Sequence, residues 1–220
     1  MRKFILIFKT IFVSLVFLTT FSFAANDTGM NQENVKEKLV GKRAMFTNDE
    51  FFYVFSERGS PLDHKVPCNW MGDFKCIDLF QNCRDNPQTG EFCMRWKYIP
   101  ESMQEEGWVG VYWQTYHKSG ETQMRDGVDL RQAKKITLWA RGEQGNEKIK
   151  IKVGGLGGRF PDSDQKTSDV LTLSKDWQQF SVNLEDVDMS FIDGIFCWLT
   201  DKKMNPDGCV FYLDNIRYEK

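Results

Sequence analysis

The chain has 220 residues, with 29 basic and 31 acidic side chains, a formal net charge of −2 and 41% hydrophobic content. Near-balanced charge excludes a general affinity for nucleic acid or anionic lipid. The length suits a single domain with a real core.

Residues 1–24 read as a secretory signal peptide. Met1-Arg2-Lys3 supplies a positive start, and Phe4 through Thr20 is rich in Ile, Leu, Val and Phe, with Lys9 as its only charge. Ser22-Phe23-Ala24 then places small residues three and one before a cut ahead of Ala25. An uncleaved anchor needs about 20 apolar residues, and Lys9 cuts the run short of that. No cysteine precedes Cys68, so no lipoprotein attachment point is present. The expectation is an exported protein, periplasmic or secreted, with no membrane contact after cleavage. Taking Arg2, Lys3 and Lys9 from the 29 basic residues leaves 26 against 31 acids, a net charge of −5 over 196 residues.

Residues 25–42 form a polar lead-in with at most one short amphipathic helix, through Val35, Leu39 and Val40. From residue 43 the pattern is β. Strand-like runs near 50–56, 74–80, 91–98, 108–114, 135–141, 148–153, 169–173, 179–184, 192–199 and 209–218 are separated by Gly, Pro, Asn and Asp clusters. Several alternate cleanly: Ile136, Leu138 and Ala140 against Lys135, Thr137, Trp139 and Arg141; Ile149, Ile151 and Val153 against Lys148, Lys150 and Lys152; Phe180, Val182 and Leu184 against Gln179, Ser181 and Asn183. Period-two patterning puts one face in the core and the other toward solvent or ligand. The predicted fold is all-β: a two-sheet antiparallel β-sandwich, or jelly roll, of about ten strands over 43–220.

An even set of cysteines in an oxidising compartment favours disulfides over metal ligation. Six cysteines allow 15 pairings. Cys197 and Cys209 flank the turn-rich stretch Asp201–Gly208, and Cys83 and Cys93 flank Asp85–Gly90, which leaves Cys68 with Cys76. Zinc is disfavoured because there is no C-x2-C pair and the only histidines are His64 and His117, both in loop-like surroundings.

Two runs carry flat rings away from the expected core. In Trp108–Gln114, Val109, Val111 and Trp113 fit the core and leave Trp108, Gly110, Tyr112 and Gln114 opposite. In Gly194–Thr200, Ile195, Cys197 and Leu199 fit the core and leave Gly194, Phe196, Trp198 and Thr200 opposite. With Trp139 and Arg141, these define a predicted carbohydrate platform of Trp108, Tyr112, Gln114, Trp139, Arg141 and Trp198 on one sheet. Rigid rings stack on sugar C–H groups, while amides and guanidinium meet hydroxyls. The alternative is packing, with a loop such as 58–73 or 115–128 laid over those rings.

Lys148, Lys150 and Lys152 read as a solvated face that guards against edge pairing, with polyanion binding as the alternative. The glycine-rich run 154–164 matches no phosphate loop, because no helix follows it. Its Asp162 and Asp164 fit an acidic surface turn, a calcium ligand pair or sugar contacts. No G-x-S-x-G elbow or H-E-x-x-H is present, and nothing positive points to catalysis, so no catalytic residue is assigned.

Trp70-Met-Gly-Asp73, Gly107-Trp-Val-Gly-Val-Tyr-Trp-Gln114, Ile136-Thr-Leu-Trp-Ala-Arg-Gly142, Lys152-Val-Gly-Gly155, Pro161-Asp-Ser-Asp164 and Phe211-Tyr-Leu-Asp-Asn-Ile-Arg-Tyr218 together resemble secreted bacterial proteins with a galactose-binding-like jelly roll related to carbohydrate-binding modules. The resemblance spans about residues 45–220. It implies a non-catalytic protein that recognises a poly- or oligosaccharide. It also implies a structural calcium between the first and last strands, with Asp214 and a group near Glu57 as oxygen ligands. The expectation is a free-standing module with no catalytic domain attached. Related jelly rolls also serve as assembly proteins, so a protein partner on the same sheet is the alternative, and a glycan-active enzyme is the third reading.

Overall fold

The computed structural model describes residues 50–100, 106–115, 126–158 and 160–220. The expected signal peptide, the lead-in and His117 therefore lie outside the described residues. Among the described residues, no helix is long and apolar enough to cross a membrane.

Among the described residues, twelve strands and one short 3-10 turn, Phe74–Cys76, are formed, and the strands make two antiparallel sheets. Sheet one runs in the order β10 (Gln178–Asn183), β6 (Lys135–Gly142), β12 (Cys209–Glu219), β4 (Cys93–Tyr98), β3 (Ile77–Cys83), with β1 (Phe51–Phe55) also on β12. Sheet two runs β2 (Val66–Gly72), β5 (Trp108–Gln114), β11 (Phe196–Asp201), β7 (Lys148–Gly154), β8 (Gln165–Thr167), with β9 (Leu171–Thr172) also on β7. Long β12 pairs with β6 along one side. On the other side it meets β4 through Cys209–Leu213 and β1 through Ile216–Glu219. A bulge after Asp214, with Asn215 at φ 45°, makes that change of partner.

The all-β sandwich is as expected, with two strands more than anticipated. β2 falls in a stretch read as a covering loop, because Pro67, Asn69 and Gly72 are weak strand formers. It lies at a sheet edge, where a proline costs no ladder bond. The inward faces of β5, β6 and β7 match the alternation in the sequence: Val109, Val111 and Trp113, then Ile136, Leu138 and Ala140, then Ile149, Ile151 and Val153 are all buried in one core.

Indole rings stitch the two sheets together. Trp96 of sheet one sits among Trp70, Trp113 and Trp198 of sheet two, at centroid distances of 5.7, 5.7 and 4.9 Å. Trp198 also meets Phe211 edge-on at 5.0 Å, and Trp113 meets Phe196 at 5.0 Å. This corrects the expected orientation of β11. Phe196, Trp198 and Thr200 face inward, and Cys197 and Leu199 face outward. Both faces of β11 are apolar, so burial alone leaves the choice open. The large rings win because they bury more area and find edge-on partners.

All six cysteines are free thiols in the structure. The expected Cys197–Cys209 link is contradicted. Cys197 packs with Tyr112 and Leu156 outside sheet two, whereas Cys209 lies on sheet one and joins the central core. Cys68 lies at a β2 bulge with its thiol on the Gln114 carbonyl, while Cys76 is buried in the core. Cys83 and Cys93 do stand directly opposite in register.

Candidate functional site: the outer face of sheet two

Cross-strand register sets out this face. One row is Met71, Gly110, Leu199 and Lys150, and the next is Asn69, Tyr112, Cys197, Lys152 and Thr167. Trp108 stands opposite Asp201 at one end. Gly110 lowers the middle of the first row. A Cβ there would come 2.5 Å from Leu199 Cδ2, 3.0 Å from the Trp198 carbonyl and 3.2 Å from Met71 Cε. Its absence lets Met71 and Leu199 close over the backbone as a smooth apolar floor.

Trp108 flanks that floor and is partly exposed. Asp73 secures its backbone: the Asp73 N–H donates to the Trp108 carbonyl at 3.0 Å, and the Asp73 carboxylate accepts the Gly107 N–H at 2.7 Å. At the other end the Asn69 amide donates to Gln114 Oε1 at 3.1 Å. That contact aligns the two side chains and leaves Asn69 Oδ1 and Gln114 Nε2 facing outward needs of opposite kind, one acceptor and one donor.

Tyr112 shares the face but is only 3% exposed. Its hydroxyl donates to the Gly154 carbonyl at 2.7 Å, and Leu156 lies against it. The loop that covers it is pinned by Asp162, whose carboxylate accepts the N–H groups of Leu156 (2.9 Å), Asp193 (2.7 Å) and Gly194 (3.4 Å). Asp162 is 9% exposed, and burial pushes its carboxyl above the ordinary range. It is therefore a buried loop anchor and not a surface turn. Asp164 is exposed and bonds the N–H groups of Gln165 and Asp188.

The predicted one-sheet platform is not assembled. Trp198 is 0% exposed, between the sheets. Trp139 and Arg141 lie on the outer face of sheet one, on the far side of the sandwich, because β6 belongs to that sheet. Trp139 is partly exposed there, opposite Gln179 and Asp214. Arg141 is 8% exposed; its guanidinium stacks 3.6 Å from the Tyr212 ring centroid and 5.4 Å from that of Trp177. It also grips the Asp85 carbonyl and carboxylate at 2.8 and 3.0 Å. Trp177 Nε1 donates to the Asn86 carbonyl at 2.7 Å. Residues 85–92 thus clad sheet one, and Arg141 is engaged in holding them.

Glu57 and Asp214 hold the same loop. Asp214 Oδ2 accepts the N–H groups of Gln88 and Thr89 at 2.9 and 3.2 Å, and Glu57 Oε2 accepts that of Glu91 at 2.6 Å. Burial pushes the Asp214 carboxyl up to about 6, and the charge of Glu57 adds to the push. Neither carboxylate has an ion-pair partner among the described residues, and the buried side-chain oxygen of Gln88 has no donor. These are hard oxygen donors of the kind calcium takes. Among the described residues, no three Asp, Glu, His or Cys side chains group closely enough to form a metal cluster by themselves.

Asn69, Met71 and Leu199 were missed by sequence reasoning. The clue was present in β5, where the outward glycine of Trp-Val-Gly-Val-Tyr implies neighbours that close over it.

No protein-family model matches the sequence, and no curated protein matches it. Solved structures do match its shape. The family 11 carbohydrate-binding module of the cellulosomal cellulase Lic26A-Cel5E of Clostridium thermocellum superposes with a TM-score of 0.54 at 12% identity, covering 79% of this chain and 96% of that one. The family 30 module of the cellulosomal cellulase Cel9D-Cel44B of Clostridium thermocellum gives 0.53 at 15% identity, covering 77% and 97%. The chain thus has the jelly-roll fold of carbohydrate-binding modules.

Proposed function

We propose that this domain is an exported, non-catalytic carbohydrate-binding protein whose ligand lies along the outer face of sheet two. The observation that carries the reading is the glycine-lowered floor of Met71, Gly110 and Leu199, flanked by Trp108 and by the Asn69–Gln114 amide pair. A flat apolar strip accepts the C–H face of a sugar ring, and the amides answer its hydroxyls in both donor and acceptor sense. The shared fold with family 11 and family 30 modules supports the same reading. Calcium is proposed at Glu57, Asp214 and the Gln88 side-chain oxygen. There it would neutralise two adjacent carboxylates and tie residues 85–92 to the last strand.

Affinity gel electrophoresis against soluble glucan, mannan, xylan and pectin tests the proposal. At least one polysaccharide retards the protein, and Trp108→Ala weakens that retardation by about 1–3 kcal/mol, the range of an aromatic anchor, without changing the melting temperature. Equal mobility in every gel refutes carbohydrate binding. A protein that co-purifies with the wild type and is lost with Trp108→Ala moves the assignment to a protein partner.

A further inference from the structure

β7 presents Lys148, Lys150 and Lys152 outward, alternating with Ile149, Ile151 and Val153 in the core. Guarding a sheet edge does not account for them, because β7 is an interior strand with β11 on one side and β8 and β9 on the other. Among the described residues, none of the three ammonium groups joins an ion pair. Asp201 is the sole acid at the outward positions of the sheet-two strands, and its carboxylate accepts the Met204 N–H at 2.7 Å. The row is thus an uncompensated positive stripe on a chain whose net charge is −2. It borders the proposed site directly: Lys150 stands opposite Leu199 of the apolar floor, and Lys152 lies opposite Cys197, with its Nζ 5.9 Å from the Tyr112 ring centroid.

We infer that the ligand of this face is an acidic polysaccharide, one whose uronic acid carboxylates meet Lys150 and Lys152 while its rings rest on Met71, Gly110 and Leu199. The inference rests on the carbohydrate reading above and adds the ligand's charge. Alternate positions on a strand stand about 6.6–6.8 Å apart, so the row is a ladder of cation sites suited to a chain bearing repeated carboxylates. Compact ammonium groups reach such carboxylates as point charges without demanding one geometry.

Isothermal titration and affinity gels with polygalacturonate and alginate, beside neutral β-glucan and xylan, test it at low and high salt. Polyuronate binds best, binding weakens as salt rises, and the double variant Lys150→Gln/Lys152→Gln loses roughly tenfold in affinity with an unchanged melting temperature. Trp108→Ala also loses polyuronate binding. If a neutral glucan binds as well as polyuronate and the double variant binds it normally, the charge assignment falls and the carbohydrate reading stands. If no polysaccharide binds, the carbohydrate reading falls with it. If heparin and DNA bind as tightly as polyuronate and Trp108→Ala has no effect, the stripe is a plain anion exchanger and the inference is overturned.

Discussion

Replacing Trp198 by alanine tests which way β11 faces. The indole is completely buried and meets Trp96 at 4.9 Å and Phe211 at 5.0 Å, both edge-on. Truncating a buried tryptophan costs about 3–5 kcal/mol in lost transfer energy and cavity formation. The two ring pairs account for about 1–3 kcal/mol of that. Against this stands Trp198 Nε1, buried with no acceptor, and its removal returns about 1 kcal/mol. The net loss is about 2–4 kcal/mol, and at roughly 2–4 °C per kcal/mol for a domain of this size the melting temperature falls by about 4–16 °C. Urea denaturation followed by far-UV circular dichroism measures it without relying on the indole removed. Trp198→Phe keeps a ring, discards the unpaired N–H and costs less than about 1.5 kcal/mol. A Trp198→Ala protein that melts within about 1 °C of the wild type yet no longer binds saccharide would put the indole on the surface and refute the strand orientation.

Asp162→Ala leaves the Leu156 and Asp193 N–H groups without their acceptor and costs about 2–4 kcal/mol in urea denaturation; a loss below about 0.5 kcal/mol, the scatter of ordinary surface changes, would contradict the anchoring role. Burial raises the Asp162 carboxyl above its ordinary 3.8, so the folded state holds that proton more tightly than the unfolded chain. Its contribution to stability is full below the unfolded value and is lost as pH rises through the folded one. The wild type's advantage over Asp162→Asn therefore shrinks from acid toward neutral pH, and a constant difference would argue against it. Cys83 and Cys93 are opposed across β3 and β4, so oxidative refolding joins them. The bond adds about 3 kcal/mol, and a peptide map showing either cysteine bonded elsewhere would count against this pairing. Calcium at a hundredfold excess over its Kd raises stability by about 2.7 kcal/mol, and Asp214→Asn abolishes the response; identical melting curves in calcium and in EDTA would eliminate the ion.

Much of the sandwich is legible in the residues themselves. In β6 and β7, apolar side chains alternate with lysines, threonine and arginine, so only one face is able to enter a core. β5 is nearly as clear, because Gly110 and Gln114 mark its outward side. β11 carries Phe196 and Trp198 on one side and Cys197 and Leu199 on the other, and no local rule separates them. The same ambiguity hid the candidate site, since Met71 and Asn69 lie in a stretch whose Pro67 and Gly72 argue against a strand until an edge position is available for it.

The sequence by itself determined that the chain is β, that it forms two layers, and which side chains of β5, β6 and β7 point inward, because a period of two is a property of neighbouring residues. Only the tertiary structure decided that Trp139 and Arg141 belong to the sheet opposite Trp108, that Trp198 is sealed between the layers, and that Lys150 and Lys152 border the Gly110 floor. Those relations depend on which strands pair. Pairing, and the stacking of the sheets through Trp96 on Trp70, Trp113 and Trp198, rests on contacts far apart along the chain, and alternation within one strand carries no record of its neighbour.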